Sequence, residues 1–307
     1  MTTPRISVIV PAYDEAENMP ELFAELAATF EAHDLSAEVV LVDDGSVDGT
    51  AEAAEAAAAR AGFDAAVVLR HRGNRGKTEA ILTASAAARG EYLVLFDADL
   101  QHSTDEIPRF AALLDEGYDL VAGRKVGRYE KRFVSSIYNR LARAIFRVPV
   151  RDLNAMKALR ADVLGGLTLR HDWHRYLVVF AHAEGYRIGE LDIALHPRRH
   201  GTAKFSGRGR ILIGMLDLVS VWFQLVCGRK PLLFFGTTGL ALIAAGSLTG
   251  LVALVLRFGF GLGYRPLLTL VLLLVVGGLL LFILGFLAET IAQLRDEIEE
   301  LKRDRRT

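Results

Sequence analysis

The sequence predicts an α/β protein in which a doubly wound, mostly parallel sheet is followed by an interfacial helix and a hairpin of two transmembrane helices. Two observations carry this prediction. Over the first 125 residues short aliphatic segments alternate with amphipathic ones, and after residue 231 two long segments contain no charged residue. The formal net charge of −1 argues against a nucleic-acid-binding protein, which usually carries a clear basic excess.

Five short apolar segments have the character of parallel strands buried on both faces, because each is aliphatic or β-branched and flanked by turn residues. They are Ile6–Val10, Val39–Val42, Ala66–Leu69, Tyr92–Phe96 and Leu120–Ala122. The amphipathic segments between them predict helices at Glu17–Ala32, Thr50–Arg60, Lys77–Ala88 and Thr104–Glu116, the last opened by a capping-box pattern at Ser103–Glu106. In doubly wound sheets of this kind, ligands bind at the carboxyl ends of the strands.

Distinctive side chains follow four of the predicted strands and should therefore meet at one edge of the sheet. They are Pro11, Tyr13, Asp14 and Glu15 after the first strand, Asp43, Asp44 and Asp48 after the second, Asp97, Asp99 and Gln101 after the fourth, and Arg124 after the fifth. We interpret Asp48 as a turn residue, because it precedes Gly49-Thr50 and a predicted helix. The other carboxylates would repel one another unless a cation or hydrogen-bond donors offset their charge.

The triplet Asp97-Ala98-Asp99 is the most informative of these segments. Alternate residues of an extended segment point the same way, so both carboxylates can face one ion while Ala98 points away from it. Gln101 repeats the spacing and adds an amide oxygen. An all-oxygen ligand set of this kind suits Mg²⁺ or Mn²⁺, which is typically shared with substrate phosphates.

Basic residues supply the second group of candidates. The glycine-containing loop that leads to Lys77 lacks the spacing of a P-loop, and we interpret it as a turn that opens a helix with Lys77 facing a nucleotide. His174 and Arg175 either contact an acceptor phosphate or order a loop. Arg198 and Lys204 belong to a basic loop that binds phosphate, contacts anionic headgroups at the membrane surface, or does both.

These segments resemble glycosyltransferase family 2, whose members have the GT-A fold, and within it the branch that acts on polyprenyl phosphates. The resemblance covers about residues 5–210 and is carried by the strings VIVPAYDEAENMPEL, VVLVDDGSVDGT, GNRGKTEAI, GEYLVLFDADLQH, DLVAGRK, HRY and RRHGTAK. This branch includes dolichyl-phosphate mannose synthase and bacterial undecaprenyl-phosphate glucosyltransferases, and some of its members have two transmembrane helices. The resemblance therefore implies a GT-A sheet followed by a membrane hairpin.

The resemblance also implies a role for each candidate residue. Pro11, Tyr13, Glu15 and Asp44 would hold the base and ribose with Asp43 nearby, Asp97, Ala98, Asp99 and Gln101 would surround the metal and diphosphate, and Arg124, Arg198 and Lys204 would meet the diphosphate or the lipid phosphate. The family's acceptor-side motif is matched loosely by the segment from Asp152 to Lys157, which leaves the acceptor-side roles open. We expect Asp152 to position the acceptor rather than to act as an obligatory base, because the lipid phosphate is already ionised. We assign the catalytic roles to Asp99, Asp152, Arg198 and Lys204.

The activity implied by the resemblance is that of an inverting glycosyltransferase. It would move one hexose, mannose or glucose, from GDP-mannose or UDP-glucose to dolichyl or undecaprenyl phosphate. The lipid phosphate is largely a dianion at neutral pH, so it needs alignment more than deprotonation. One alternative is a processive membrane polysaccharide synthase, but such enzymes carry a Q-x-x-R-W motif, and Gln224 is followed here by Leu225-Val226-Cys227. The other is a non-catalytic membrane scaffold, which would not need Asp97, Asp99 and Lys204.

The predicted organisation has four parts. They are a cytoplasmic GT-A catalytic domain at 1–207, a juxtamembrane amphipathic helix at 208–230, two transmembrane helices (232–256 and 266–288) within 231–288, and a cytoplasmic helical tail at 289–307. Basic residues cluster before the first span and after the second, while the connecting loop holds only Arg257 and Arg265, which favours cytoplasmic termini. Apolar residues at heptad positions from Leu287 to Leu301 predict a homo-oligomer.

Overall fold

The computed structural model describes residues 3–63, 66–127, 132–167, 169–170, 173–200, 209–228 and 230–304. Lys204, one of the predicted site residues, lies outside these ranges. The chain divides into two compact units, residues 1–207 and residues 208–307. The first unit holds a sheet with its covering helices, and the elements of the second are helices.

One 7-stranded sheet organises the first unit, with its strands in the order β3-β2-β1-β4-β6-β5-β7. The strands are β1 (Ile6–Ala12), β2 (Ala37–Asp43), β3 (Ala66–Arg70), β4 (Tyr92–Leu95), β5 (Leu120–Val126), β6 (Lys157–Arg160) and β7 (Ile188–Ala194). Strand β6 is antiparallel to its neighbours β4 and β5, and the other neighbouring strands are parallel. The prediction of a doubly wound, mostly parallel sheet is therefore confirmed.

Helices cover the sheet because its strands are apolar on both faces. They are α1 (Met19–Ala32), α2 (Thr50–Arg60), α3 (Lys77–Ala87), α4 (Glu106–Asp115), α5 (Arg132–Phe146), α6 (Ala161–Gly166) and α7 (Leu177–Ala183), with short 3₁₀ turns at Ala16–Asn18 and Trp173–Tyr176. Val8 of β1 packs in the main apolar cluster with Phe23 of α1 and Phe110 of α4, whereas Ile9, next along the strand, is equally buried outside that cluster. This alternation places apolar side chains on both sides of the central strand.

Two expectations about element boundaries were wrong. Strand β5 continues to Val126, so Arg124 lies within the strand rather than after it, and it pairs in register with Asp192 of the edge strand β7. The capping box before α4 is formed only in part, because Ser103 Oγ accepts a hydrogen bond from the Asp105 N–H at 3.2 Å rather than from the Glu106 N–H. The carboxylate of Glu106 instead forms an ion pair with Arg109 on the same helix.

The second unit contains α8 (Gly209–Cys227), α9 (Pro231–Gly259) and α10 (Arg265–Asp304). Helix α9, and α10 as far as Leu294, are each long and apolar enough to cross a membrane. The two helices pack closely at Gly239 and Gly278, where a Cβ added to either glycine would lie 2.6 Å from the carbonyl oxygen of the other. Helix α10 is continuous to Asp304, so the predicted tail extends the second span without a break.

Candidate active site

The carboxyl ends of three adjacent parallel strands bring the predicted site residues to one edge of the sheet. Strand β1 lies between β2 and β4, with Ala12 opposite Asp43 and Ile9 opposite Leu95. The loops that follow these strands therefore leave the sheet side by side. The loop after β2 also touches the loop after its other neighbour, β3, since a Cβ on Gly45 would lie 2.5 Å from the backbone of Gly73.

Asp97 and Asp99 each have a cationic partner from a distant part of the chain. The Asp97 carboxylate forms an ion pair with Lys77, the first residue of α3. Asp99 Oδ2 accepts a hydrogen bond from Arg198 Nη2 at 2.8 Å, and Arg198 Nη1 donates to Glu15 Oε1 at 3.1 Å. The fold thus joins residues from the loops after β1 and β4, from α3 and from the basic loop in one cluster, and the roles predicted for Glu15, Asp99 and Arg198 in ligand binding stay predictions.

The pKa values of Asp97 and Asp99 are shifted in opposite directions. Burial by itself would raise the pKa of Asp97, but the Lys77 ammonium outweighs it and holds that pKa well below its usual range. Burial and then the negative charge of Asp97 raise the pKa of Asp99 to about 6. A cation placed between them would relieve the repulsion that raises the pKa of Asp99.

The donor atoms at this edge fit a hard divalent cation. Asp97 and Asp99 offer carboxylate oxygens, while Gln101 is held by its backbone N–H, which donates to Asp99 Oδ1 at 3.2 Å, and by its side-chain amide, which donates to the carbonyl oxygen of His196 at 3.4 Å. Among the residues that the structure describes, no group of three or more His, Cys, Asp or Glu side chains could hold a metal ion. A divalent ion here would therefore take its remaining ligands from substrate phosphates, as Mg²⁺ commonly does.

Asp44 is buried and organises the loop that follows β3. Its Oδ1 lies 2.7 Å from His71 Nδ1 and accepts a hydrogen bond from the Arg75 N–H at 2.9 Å, and its Oδ2 accepts from the Gly76 N–H at 2.7 Å. These bonds place the loop so that α3 begins at Lys77, beside Asp97. Asp44 therefore contributes to the site through its neighbours, and the predicted contact with a base and ribose stays a prediction.

Asp43 lies beside a cavity at the same end of the sheet, because its partner Arg70 lines that cavity. Asp43 is fully buried, with Oδ1 accepting from the Ser46 N–H at 2.8 Å and Oδ2 lying 3.3 Å from Arg70 Nε. The cavity, of about 610 Å³, is lined by Arg70, His71, Arg72, Gly73, Asn74 and Arg75. Pro11 pairs in register with Val42, and both Pro11 and Tyr13 are partly exposed. The arginines give this cavity a positive character that suits a nucleotide.

The candidates for acceptor binding lie on other elements. His174 Nδ1 lies 3.0 Å from the hydroxyl of Thr78, the second residue of α3. Burial, together with the charges of Lys77 and Arg175, lowers the pKa of His174 well below its ordinary value, so this imidazole is neutral at pH 7. The contact with Thr78 favours the loop-ordering alternative for His174 and leaves Arg175 as the cation of the pair.

Two predicted site residues have partners outside the Asp97–Asp99 cluster. The guanidinium of Arg124 forms a two-bond ion pair with Asp192. Asp152 is buried, accepts from the Asn154 N–H at 2.9 Å, and has an oxygen 3.7 Å from Lys125 Nζ. Their predicted contacts with phosphate and acceptor stay predictions.

The structure also reveals residues that the sequence analysis did not select. Lys157 is buried at the start of β6, and the buried imidazole of His102 has no hydrogen-bond partner for Nδ1 in the described part of the chain. Burial, the largest influence, lowers the pKa of His102. His102 ends one of the segments that carried the resemblance, and Lys157 ends the loosely matched segment that begins at Asp152, so these positions were the available signal.

The strand order and the paired carboxylates at the carboxyl edge define a protein of the GT-A class. The chain belongs to glycosyl transferase family 2, whose model matches residues 7–187. It is 32% identical over 301 residues to a dodecaprenyl-phosphate galacturonate synthase of Rhizobium johnstonii, with 94% of this chain and 88% of the relative covered. It is also 32% identical over 260 residues to an undecaprenyl-phosphate 4-deoxy-4-formamido-L-arabinose transferase of Pseudomonas aeruginosa, with 83% and 75% covered.

Solved structures share the fold. Glucosyl-3-phosphoglycerate synthase from Mycobacterium tuberculosis, in complex with Mn²⁺, uridine diphosphate and glucosyl-3-phosphoglycerate, matches with a TM-score of 0.57 at 19% identity, covering 72% of this chain and 80% of that one. The same enzyme with Mg²⁺ and uridine diphosphate matches with a TM-score of 0.57 at 20% identity, covering 71% and 80%. At this level of identity the likeness concerns the fold.

Proposed function

We propose that this protein transfers one sugar from a nucleotide-sugar to the phosphate of a polyprenyl lipid, with inversion at the anomeric carbon. The observation that carries the proposal is the cluster in which Asp97 pairs with Lys77 and Asp99 pairs with Arg198. Carboxylates and cations alternate there, as a site for a metal-bound diphosphate requires. The names of the relatives in Rhizobium and Pseudomonas support a polyprenyl phosphate as the acceptor.

In this proposal Asp97 and Asp99, with Gln101, hold Mg²⁺ or Mn²⁺. Such an ion, when bound, neutralises charge that develops on the leaving diphosphate. Arg198 and Lys204 donate hydrogen bonds to the phosphates, and Lys77 keeps the edge of the sheet from becoming too negative for a phosphate to approach. Asp152 positions the acceptor phosphate, which is already largely ionised at neutral pH and therefore needs no obligatory base.

The identity of the sugar is the finer part of the proposal. The sequence predicted mannose or glucose, carried by GDP-mannose or UDP-glucose, whereas the two relatives are named for galacturonate and formamido-arabinose. The deciding experiment incubates the full-length protein, purified in detergent, with a short polyprenyl phosphate and a panel of GDP-mannose, UDP-glucose and UDP-galacturonate. Release of nucleotide that depends on the lipid, with any one donor, is the expected result. Release that does not depend on the lipid would contradict the proposed acceptor.

The proposed setting is a membrane protein with its catalytic unit and both termini in the cytoplasm. Helices α9 and α10 form the membrane hairpin, and α8 lies at the interface, where it presents exposed apolar residues such as Leu216, Val219 and Trp222. Exposed apolar residues of α10 from Ile291 to Leu301 support association between copies of the chain. This arrangement gives the sheet edge access to cytoplasmic nucleotide-sugar.

A further inference from the structure

Lys157 is a buried lysine at the same edge of the sheet as Asp97. It is the first residue of β6, which runs antiparallel to β4, so Lys157 lies opposite Leu95 of β4 and opposite Ala122 of β5. Asp97 follows Leu95 by two residues, just beyond the end of β4, and its charge acts on Lys157. Only 5% of Lys157 is exposed, and its Nζ donates a hydrogen bond to the carbonyl oxygen of Ala155 at 2.9 Å.

The neighbouring carboxylates are already paired with other lysines, so the positive charge of Lys157 is not balanced by an ion pair. Lys77 forms an ion pair with Asp97, and Lys125 Nζ lies 3.7 Å from Asp152 Oδ2. In the described part of the chain, Lys157 forms no ion pair of its own, and its hydrogen bond goes to the Ala155 carbonyl oxygen. An ammonium has three N–H donors, so two of them have no acceptor among the described residues.

Keeping a charge in this position is costly to the fold. A buried ammonium without a carboxylate partner is strongly disfavoured relative to an apolar side chain of similar size. Burial, and then the positive charge of Lys77, lower the pKa of Lys157 to about 8, and the group is still mainly protonated at pH 7. A cation retained at such a cost beside Asp97 and Asp152 indicates a negatively charged ligand.

We propose that Lys157 is the buried cation of an oxyanion subsite between the Lys77–Asp97 and Lys125–Asp152 pairs. The ligand is either the phosphate of the acceptor lipid or a carboxylate on the donor sugar, and these identities rest on the proposed function. Either oxyanion would be repelled by Asp97 and Asp152, and the unpaired charge of Lys157 offsets that repulsion. Lys157 makes no bond to the reacting carbon in this assignment and serves to hold the anion.

The first experiment measures binding without turnover. The full-length protein is purified in detergent, and its melting temperature is followed against increasing farnesyl phosphate, with inorganic phosphate as a second probe. Lys157→Met should melt at or above the wild-type temperature because it removes a buried charge. If the subsite holds the acceptor phosphate, this variant should bind farnesyl phosphate about tenfold or more weakly. Arg160→Met is the matched control, since Arg160 lies on the same strand at its opposite end and pairs with Glu91.

The second experiment separates the two sources of the oxyanion. UDP-galacturonate and UDP-galactose differ by a carboxylate in place of a hydroxymethyl group, and their binding is compared in wild type and Lys157→Met. Loss of farnesyl phosphate binding assigns the subsite to the acceptor, and loss of the preference for UDP-galacturonate assigns it to the donor sugar. Lys157→Gln repeats both measurements with an uncharged polar side chain, in case the methionine variant does not fold.

The subsite and the proposed function fail in different ways. A folded Lys157→Met protein that binds farnesyl phosphate and discriminates between the two nucleotide-sugars as wild type does would overturn the subsite. A wild-type protein that transfers no sugar to any lipid, yet binds farnesyl phosphate in a manner that depends on Lys157, would overturn the proposed function and leave the subsite standing. A lower melting temperature for Lys157→Met with unchanged binding would show a purely structural role and would also overturn it.

Discussion

The imidazole of His71 and the carboxylate of Asp44 lie 2.7 Å apart, and both side chains are buried. Asp44 also accepts hydrogen bonds from the N–H groups of Arg75 and Gly76, directly before Lys77. On its other side, His71 Nε2 lies 3.0 Å from the hydroxyl of Thr83 on α3. The pair therefore ties the end of β2 to both the start and the body of α3, and it determines where Lys77 lies relative to Asp97.

We expect Asp44→Asn to lower the free energy of unfolding by about 2–3 kcal/mol. Asparagine keeps the shape of the side chain, but its NH₂ group must face one of the three donors that the carboxylate now accepts from, which leaves a buried donor unsatisfied. Chemical denaturation of the full-length protein measures the loss. Thr83→Val, which removes the outer contact of His71, should cost about 1 kcal/mol or less. Equal losses in the two variants would contradict the central role of Asp44.

The second prediction concerns the metal and its dependence on pH. The pKa of Asp99 is about 6, so below that pH a divalent ion must displace a proton from this carboxyl. We therefore expect the dissociation constant for Mn²⁺ to rise by about tenfold for each unit that the pH falls below 6, and to change little above pH 7. Calorimetric titration with Mn²⁺ between pH 5 and pH 8 measures this, and a flat profile would exclude Asp99 as a ligand.

The second prediction extends to catalysis, because turnover should depend on the divalent ion that Asp97 and Asp99 bind. Asp99→Ala should lower the rate at least about a hundredfold, which corresponds to the loss of one main stabiliser of charge in the transition state. Excess EDTA should abolish turnover in the wild type, and added Mg²⁺ or Mn²⁺ should restore it. Full activity in EDTA would contradict the assignment of Asp97 and Asp99 to a metal.

The third prediction compares two adjacent arginines. Arg198 contacts Asp99 and Glu15, whereas Arg199 pairs with Glu21 and Glu25 on α1. Arg198→Ala should reduce turnover at least about a hundredfold, because a phosphate-facing cation is lost at the site. Arg199→Ala removes an exposed ion pair and should leave turnover within about threefold of wild type. Steady-state rates with a saturating donor test both, and similar losses would show that the loop acts through its total charge.

The fourth prediction concerns the packing of α9 against α10. Gly278→Leu places a side chain against the backbone of Gly239 and should destabilise the hairpin by about 1–3 kcal/mol. Gly277→Leu is a matched control, because a Cβ on Gly277 meets nothing within 4 Å. Melting temperature in detergent distinguishes the two variants, and a lower value for Gly277→Leu than for Gly278→Leu would contradict the observed pairing of the helices.

The fifth prediction tests the topology. A cysteine introduced at Gly261, in the loop between α9 and α10, should react with an impermeant thiol reagent in intact cells. A tag placed after Thr307 should stay protected until the cells are opened, because basic residues flank the hairpin at both ends. Cys227→Ser is the background for the labelling, since Cys227 is the one cysteine of the sequence. The reverse pattern would place the catalytic unit outside the cytoplasm.

The sequence predicted five strands because each is a continuous apolar segment, and a parallel strand covered on both faces must be apolar throughout. Strand β6 was not predicted because it has only four residues and begins with Lys157. A lysine in a sequence usually indicates a solvent-exposed position, and its burial cannot be recognised without the surrounding structure. Strand β7 escaped because Glu190 and Asp192 interrupt its apolar pattern. Those carboxylates have partners on neighbouring segments, Arg151 and Arg124, that no local pattern reveals.

The candidate site divides in the same manner. The Asp97-Ala98-Asp99 triplet was accessible because two-residue spacing in an extended segment has a direct geometric meaning. The cation that pairs with Asp99 could not be predicted in this way, because Arg198 is 99 residues from Asp99 and the two meet only through the fold. The sequence placed Asp44 at the carboxyl edge of the sheet, where the structure has it. Its hydrogen bonds to the loop before Lys77 depend on the contact between neighbouring loops, which cannot be read from sequence spacing.

Helix α10 has 40 residues, which at about 1.5 Å per residue amounts to a rod of about 60 Å. A hydrocarbon core of about 30 Å accounts for half of that length. In the proposed membrane hairpin the C-terminal end of α10 extends beyond the hydrocarbon core, and its exposed residues Ile298 and Leu301 lie about 6–10 Å past Leu294, where the apolar span ends. In that arrangement a protein that binds these two residues would be held at a fixed distance from the membrane, because an unbroken helix joins them to the span.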